Sequence, residues 1–154
     1  MLDRLSFKAK IGLLVVAAVL AVLVMSITAA LQSRKQITEA RQQQLVTAVQ
    51  AAHGVVTGFQ AKVAKGEMSE ADAKKAAAEA VGLARYGGPE GKTEYFYIWT
   101  LDGVGVMHPI RTEWNGQNMI GKVKDGAGVD IIVALIDGMK KSRDGRAFVP
   151  TNFP

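Results

Sequence analysis

The sequence predicts an α+β chain: a membrane-spanning helix continues into a long helix, a second helix returns antiparallel, and an incomplete antiparallel sheet follows with one short helix. Three observations predict it. The 21 residues from Ile11 to Leu31 (IGLLVVAAVLAVLVMSITAAL) carry no charge. Apolar positions then recur at intervals of three and four. Beyond Gly87-Gly88-Pro89 the period drops to two around an Asp102-Gly103 turn.

The uncharged run matches the roughly 20 residues a helix needs to cross a hydrocarbon core of about 30 Å. Removable secretory signals have apolar regions of about 7–15 residues. The segment therefore reads as an uncleaved anchor, although Thr28-Ala29-Ala30 has the small residues of a cleavage site. Arg4, Lys8 and Lys10 precede the span and Arg34, Lys35 and Arg41 follow it, so local charge does not orient it. Long soluble stretches translocate largely regardless of charge, which leaves the short basic end in the cytoplasm. The expected organisation is residues 1–10 cytoplasmic, 11–31 transmembrane and 32–154 extracytoplasmic.

Composition excludes several functions. The 154 residues contain no cysteine, which removes disulfide scaffolds, CxxC redox sites and cysteine nucleophiles. After Leu31 there are 16 basic and 13 acidic residues, interspersed as on a solvated surface and not clustered as for nucleic acid. There is no HExxH, GxSxG or Walker loop, and no enzyme is expected. His53 and His108 stand 55 positions apart without a ligand-spacing motif, so neither haem nor zinc is expected, and no cofactor.

The elements follow in order. Leu45, Ala48, Ala52, Val55, Phe59 and Val63 continue the first helix as an apolar stripe to about Lys65, with Gly66 as its cap. Ser69-Glu70-Ala71-Asp72 has capping-box spacing and opens a second helix over Glu70–Arg85, with Ala73, Ala76, Ala80 and Ala84 inward. The short Gly66–Met68 link makes the two helices antiparallel neighbours. Glu94–Thr100 and Val104–Ile110 form a hairpin around the two-residue loop Asp102-Gly103, pairing Leu101 with Val104, Trp99 with Val106 and Tyr97 with His108. Alternation then puts Tyr95, Tyr97, Trp99, Val106 and His108 on one face. Phe96, Ile98 and Met107 lie on the other, against the long helix. Asn115-Gly116 and Asp125-Gly126-Ala127-Gly128 are turns, and Val129–Lys141 is a short helix with Ile132, Leu135, Ile136 and Met139 inward. Ala147-Phe148-Val149 opens a third strand, framed by Pro150 and Pro154.

The aromatic face with polar tips has the lining of a small-molecule pocket, and its candidates are Tyr95, Tyr97, Trp99 and His108. Arg85 is the candidate cation, since a guanidinium meets a carboxylate with two prongs. Each has a plainer role beside it: the aromatics as core, His108 as a satisfied strand-end histidine, and Arg85 as a cation at a helix C-terminus. His53 lies near the apolar stripe and reads as structural.

Together, YFYIWTLDGVGVMHP, the following NGQNMIG, GEMSEADAKKAAAEAVGLARY and DGAGVDIIVALIDGMKK resemble the single Cache (sCache, PAS-like) sensor domain of bacterial methyl-accepting chemotaxis proteins. The resemblance covers the whole chain. It implies an incomplete PAS-like sheet and a domain in the bacterial inner membrane that binds a small organic molecule, often a short carboxylate. It also implies a homodimer through the long helix and a displacement passed to a cytoplasmic coiled coil. In that family three further strands, a second transmembrane helix and a signalling region follow, and the stretch Ala147–Pro154 departs from the family pattern. The chain is thus read as the N-terminal portion of a receptor that does not signal alone. Sensor parts of a histidine kinase or cyclase, or a structural coiled-coil anchor, are the alternatives; an anchor has no use for the aromatic face.

Overall fold

A computed structural model of the chain describes residues 6–152; Arg4 and Pro154, used above, lie outside the described residues. The elements are helices α1 (Phe7–Ala64) and α2 (Glu70–Leu83), then strands β1 (Arg85–Tyr86), β2 (Glu94–Tyr95), β3 (Ile98–Trp99) and β4 (Gly105–Met107). A single 3-10 turn (Thr112–Trp114) and helix α3 (Ile131–Lys141) follow. The chain divides into two compact units, one up to Leu45 and one from Val46.

In the first unit α1 buries nothing, and it contains a stretch long and apolar enough to cross a membrane. The second unit begins with the rest of α1, whose end is closed as expected. Gly66 takes the left-handed conformation at φ 73°, its N–H donates to Val63 O at 2.9 Å, and Glu67 N–H reaches Lys62 O at 2.9 Å. These paired bonds satisfy carbonyls that a helix end leaves open. Ser69 then caps α2: its Oγ accepts from Asp72 N–H at 3.1 Å and donates to Asp72 Oδ2 at 2.6 Å.

The inward faces differ in detail from the expected stripes. On α1 beyond the uncharged run the half-buried positions are Val46, Ala48, Ala52, Val56, Phe59 and Val63, while Leu45 and Val55 are exposed. Val56 replaces Val55 because the helix advances 100° per residue and steps of four follow the buried side there. On α2, Ala73, Ala77 and Val81 are buried and Ala76, Ala80 and Ala84 only half-buried. Val81 is the largest of these side chains, and the face has turned to bury it. Val56, Phe59 and Val63 line one groove with Ala73 and Ala77, which makes the two helices neighbours as expected.

The second helix stops at Leu83, two residues short of the expected Arg85. Ala84 is extended, and Arg85 instead pairs with Tyr95 and Tyr86 with Glu94 across β1 and β2. Pairing with β2, together with the Tyr86–Phe96 stack at 4.8 Å, outweighs one more helical turn.

The hairpin register holds at its far end and fails near the turn. Gly103 N–H donates to Thr100 O at 3.0 Å and Val104 N–H to Thr100 Oγ1 at 3.0 Å, so the loop has three residues, Leu101 to Gly103, with Gly103 at φ 77°. Such loops follow a type I turn with a left-handed glycine. Trp99 therefore faces Gly105, not Val106. An irregularity between Ile98 and Trp99 then restores the expected pairing, Ile98 with Met107. Val106, expected on the aromatic face, is exposed.

The sheet consists of two separate two-stranded pieces, β1–β2 and β3–β4, among the described residues. Its apolar side packs on α2 and not on the long helix as expected: a side chain at Gly82 would meet Met107 Sδ at 3.0 Å. The buried core comprises Ala73, Ala77, Val81, Met107, Met119, Ile131 and Ile132. Helix α3 starts at Ile131, not Val129, because the Asp130 carboxylate caps it, accepting from Ile132 N–H at 3.0 Å and Val133 N–H at 3.2 Å. Ile131 joins Ile132 in the core, while Leu135, Ile136 and Met139 are half-buried. The third strand expected at Ala147-Phe148-Val149 does not form. That segment lies along α3, with Val149 Cγ2 2.6 Å from where a Cβ on Gly138 would stand.

Candidate functional site

Alternation along β2 and β3 sets Tyr95, Tyr97 and Trp99 in a row, and the restored register brings His108 against them. The Tyr97 and His108 rings are stacked, 5.8 Å apart with 6° between planes. Tyr95 lies 5.3 Å and Trp99 6.4 Å from the same imidazole. Four of the five candidate residues thus meet around one ring. Trp114, which sequence reasoning missed, completes the cluster edge-on to His108 at 5.0 Å and 6.3 Å from Trp99. Its signal was present: a tryptophan immediately before the Asn115-Gly116 turn. The close fit requires glycine at position 105, where a Cβ would stand 2.5 Å from Trp114 O and 3.0 Å from the Trp99 ring.

His108 is the buried polar residue at the centre, 5% exposed. Its main-chain N–H donates to Asn115 Oδ1 at 2.8 Å. Its Nδ1 accepts from Ile110 N–H at 3.3 Å and Arg111 N–H at 3.0 Å. A nitrogen that accepts carries no proton, so the neutral ring holds its proton on Nε2. Burial pushes the imidazole below its ordinary 6.5, and the Arg111 guanidinium adds to this, against an opposing pull from Glu113. Nε2–H has no protein partner among the described residues. Trp99 Nε1–H is buried and likewise has none. Burial, reinforced by Tyr95 and Tyr86, holds the Tyr97 phenol above its ordinary 10.0, so it is uncharged at neutral pH.

Arg85 stands apart from the ring cluster. Its Nη1 donates to Gly82 O at 2.7 Å and Ala84 O at 2.8 Å, so part of its fork caps the end of α2. It does share with His108 an open cleft of about 710 Å³ between α2 and β4, lined also by Lys74, Lys75 and Glu79. Tyr95, Tyr97 and Trp99 do not line that cleft. His53 is an exposed residue of α1, away from the stripe. Among the described residues no three His, Cys, Asp or Glu side chains are grouped to hold a metal.

The family description Single Cache domain 2 matches residues 37–154. The chain belongs to the single Cache family of sensor domains. Among solved structures it is similar to the periplasmic sensor domain of a chemotaxis protein, at 34% identity and TM-score 0.58 over 66% of this chain and 67% of that one. It is also similar to a Cache chemosensory domain described for carboxylic acid recognition, at 27% identity and TM-score 0.62 over 70% of each chain. A methyl-accepting chemotaxis protein from Vibrio parahaemolyticus RIMD 2210633 shares the fold at 22% identity and TM-score 0.53, over 73% of this chain and 69% of that one. No curated protein matches in sequence. This Cache chain is thus a ligand-sensing domain of the kind carried by chemotaxis receptors.

Proposed function

We propose that this chain is the extracytoplasmic sensor part of a transmembrane chemoreceptor in the bacterial cell membrane, anchored by Ile11–Leu31, and that the ring cluster around His108 takes a short carboxylate. One observation carries the reading: Trp99 Nε1–H is buried with no acceptor among the described residues, and the adjoining His108 ring presents its Nε2–H beside it. A buried donor left unpaired costs about 1–3 kcal/mol. Two donors with no acceptor beside them complement a group that only accepts, as an ionised carboxylate does. Tyr95, Tyr97 and Trp114 supply the apolar wall for its short chain. Arg85 contributes positive charge from the cleft on the α2 side.

Calorimetry of the whole chain in lipid nanodiscs, with acetate, propionate and propionamide as probes, tests this. The carboxylates bind and the amide, whose NH₂ would face two donors, binds less. Trp99→Phe keeps the ring and loses about 1–3 kcal/mol of carboxylate affinity. Arg85→Ala and Tyr97→Ala weaken binding too, the first with some loss of helix stability. Equal binding of acid anion and amide, or unchanged affinity in Trp99→Phe, overturns the carboxylate site.

The anchor and the partner belong to the same reading. Alkaline washing leaves the protein in the membrane, whereas release of a soluble species beginning near Leu31 would make the span a removed signal. Two copies pair through α1, with Val49, an exposed apolar residue of that helix, as the position for cysteine cross-linking. No disulfide dimer from Val49→Cys or its neighbours around the helix overturns the pairing.

A further inference from the structure

An imidazole can accept hydrogen bonds only while it is uncharged, because both nitrogens of an imidazolium are donors. His108 accepts twice at Nδ1, from the main-chain N–H groups of Ile110 and Arg111. Nδ1 is the ring nitrogen next to the side chain's own backbone, so turning the ring over does not bring Nε2 into its place. The two bonds close the turn at Pro109–Arg111, and that turn leads directly into Thr112–Trp114. Asn115, just beyond, holds His108 from the other side, its Oδ1 accepting from the His108 main-chain N–H. One imidazole therefore ties the end of β4 to the segment that delivers Trp114.

We propose that His108 is an acid-operated latch: neutral, it holds the Pro109–Arg111 turn closed, and protonated, it sets a third N–H against two others so that the turn opens and Trp114 leaves the ring cluster. The latch goes beyond the carboxylate reading and works with the pocket empty.

The groups around His108 make the neutral state the resting one. On its own turn, Arg111 disfavours a second positive charge and Glu113 favours it. Across the cleft, α2 presents Lys74, Lys75 and Glu79, and β1 presents Arg85. Lys74 is engaged with Glu70 at 2.6 Å. From β2 and the residues before β3 come only the phenol rings of Tyr95 and Tyr97. Positive groups outnumber negative ones, and neither carboxylate is bonded to the imidazole. Protonation consequently requires pH below the ordinary histidine value, and there it removes two backbone hydrogen bonds together.

The test is a proton-detected ¹⁵N titration of the whole chain in nanodiscs, in a His53→Ala background that leaves one imidazole. At neutral pH, Nδ1 is bare, Nε2 carries the proton, and the Ile110 and Arg111 amides are protected relative to their intrinsic exchange. On acidification both amides lose protection in the same step in which His108 takes up its proton. His108→Asn is the second arm, since its Oδ1 can accept from main-chain N–H groups two and three residues on without titrating. It keeps both amides protected across the acid range. A proton found on Nδ1 at neutral pH, amides unmoved through the His108 titration, or the same acid opening in His108→Asn each overturns the latch.

Discussion

The run Ile11–Leu31 and the first turns of α3 draw on the same aliphatic residues, yet meet different surroundings. In α3, Ile131 and Ile132 are 3% and 2% exposed, and Asp137, Lys140 and Lys141 occupy the outer face. Between Ile11 and Leu31 no residue is buried and no charge marks an outer face. A helix with one apolar stripe needs a protein surface on one side, whereas a helix apolar all round needs an apolar solvent on every side. The difference is one of pattern, and it separates what holds the sensor unit together from the run proposed as its anchor.

Several substitutions would break or sharpen that contrast. The largest effect is expected from Ile132→Ala, which leaves a void among packed neighbours and lowers the stability of the sensor unit by about 2–5 kcal/mol in chemical denaturation. Leu20→Ala, the equivalent truncation in the exposed run, leaves that denaturation curve where it was. If the two behave alike, the contrast is wrong. Next comes Leu20→Arg, which puts a charge at the middle of the run and costs about 2.5–3.5 kcal/mol of insertion if the surroundings are hydrocarbon. Membrane fractionation reads it, and normal retention would show that the run does not span. Ser69→Ala removes the cap of α2 and lowers stability by about 1 kcal/mol, with the denaturation midpoint as the measure.

The smallest effect on stability is that of mild acid. The fold holds His108 below its ordinary 6.5, so the unfolded chain binds more protons and stability is lost as pH falls from 6.5 through the lower native value. Thermal melts between neutral and mildly acid pH follow this in the native chain and not in His108→Asn. At lower pH Asp125 acts in the same direction. The Asn152 N–H, with those of Val129 and Ala127, holds its carboxylate below 3.8, so its contribution is lost as pH falls from 3.8 through its lower native value.

Much of the architecture was decided locally and could be read before any folding. Helix ends follow from single residues: Gly66 can take positive φ, and Ser69 offers an oxygen to Asp72 N–H. The uncharged run, the α+β order and the aromatic row Tyr95, Tyr97, Trp99 follow from periodicity, which is a property of the chain alone. Tertiary structure decided the rest, because it depends on which groups compete for one partner. Arg85 left the helix because β2 offered its backbone a partner and the α2 carbonyls offered its side chain one. Thr100 lengthened the turn by bonding Gly103 and Val104, and a bulge had to restore the register before Tyr97 could stack on His108. Trp114 comes from a segment that shares no period with the hairpin, and the Ile110 and Arg111 N–H groups reach His108 Nδ1 only because β4 ends at Met107 and the chain turns back. Only folding brings them to one imidazole, so which of its nitrogens accepts was decided by neighbours that the order of residues does not reveal.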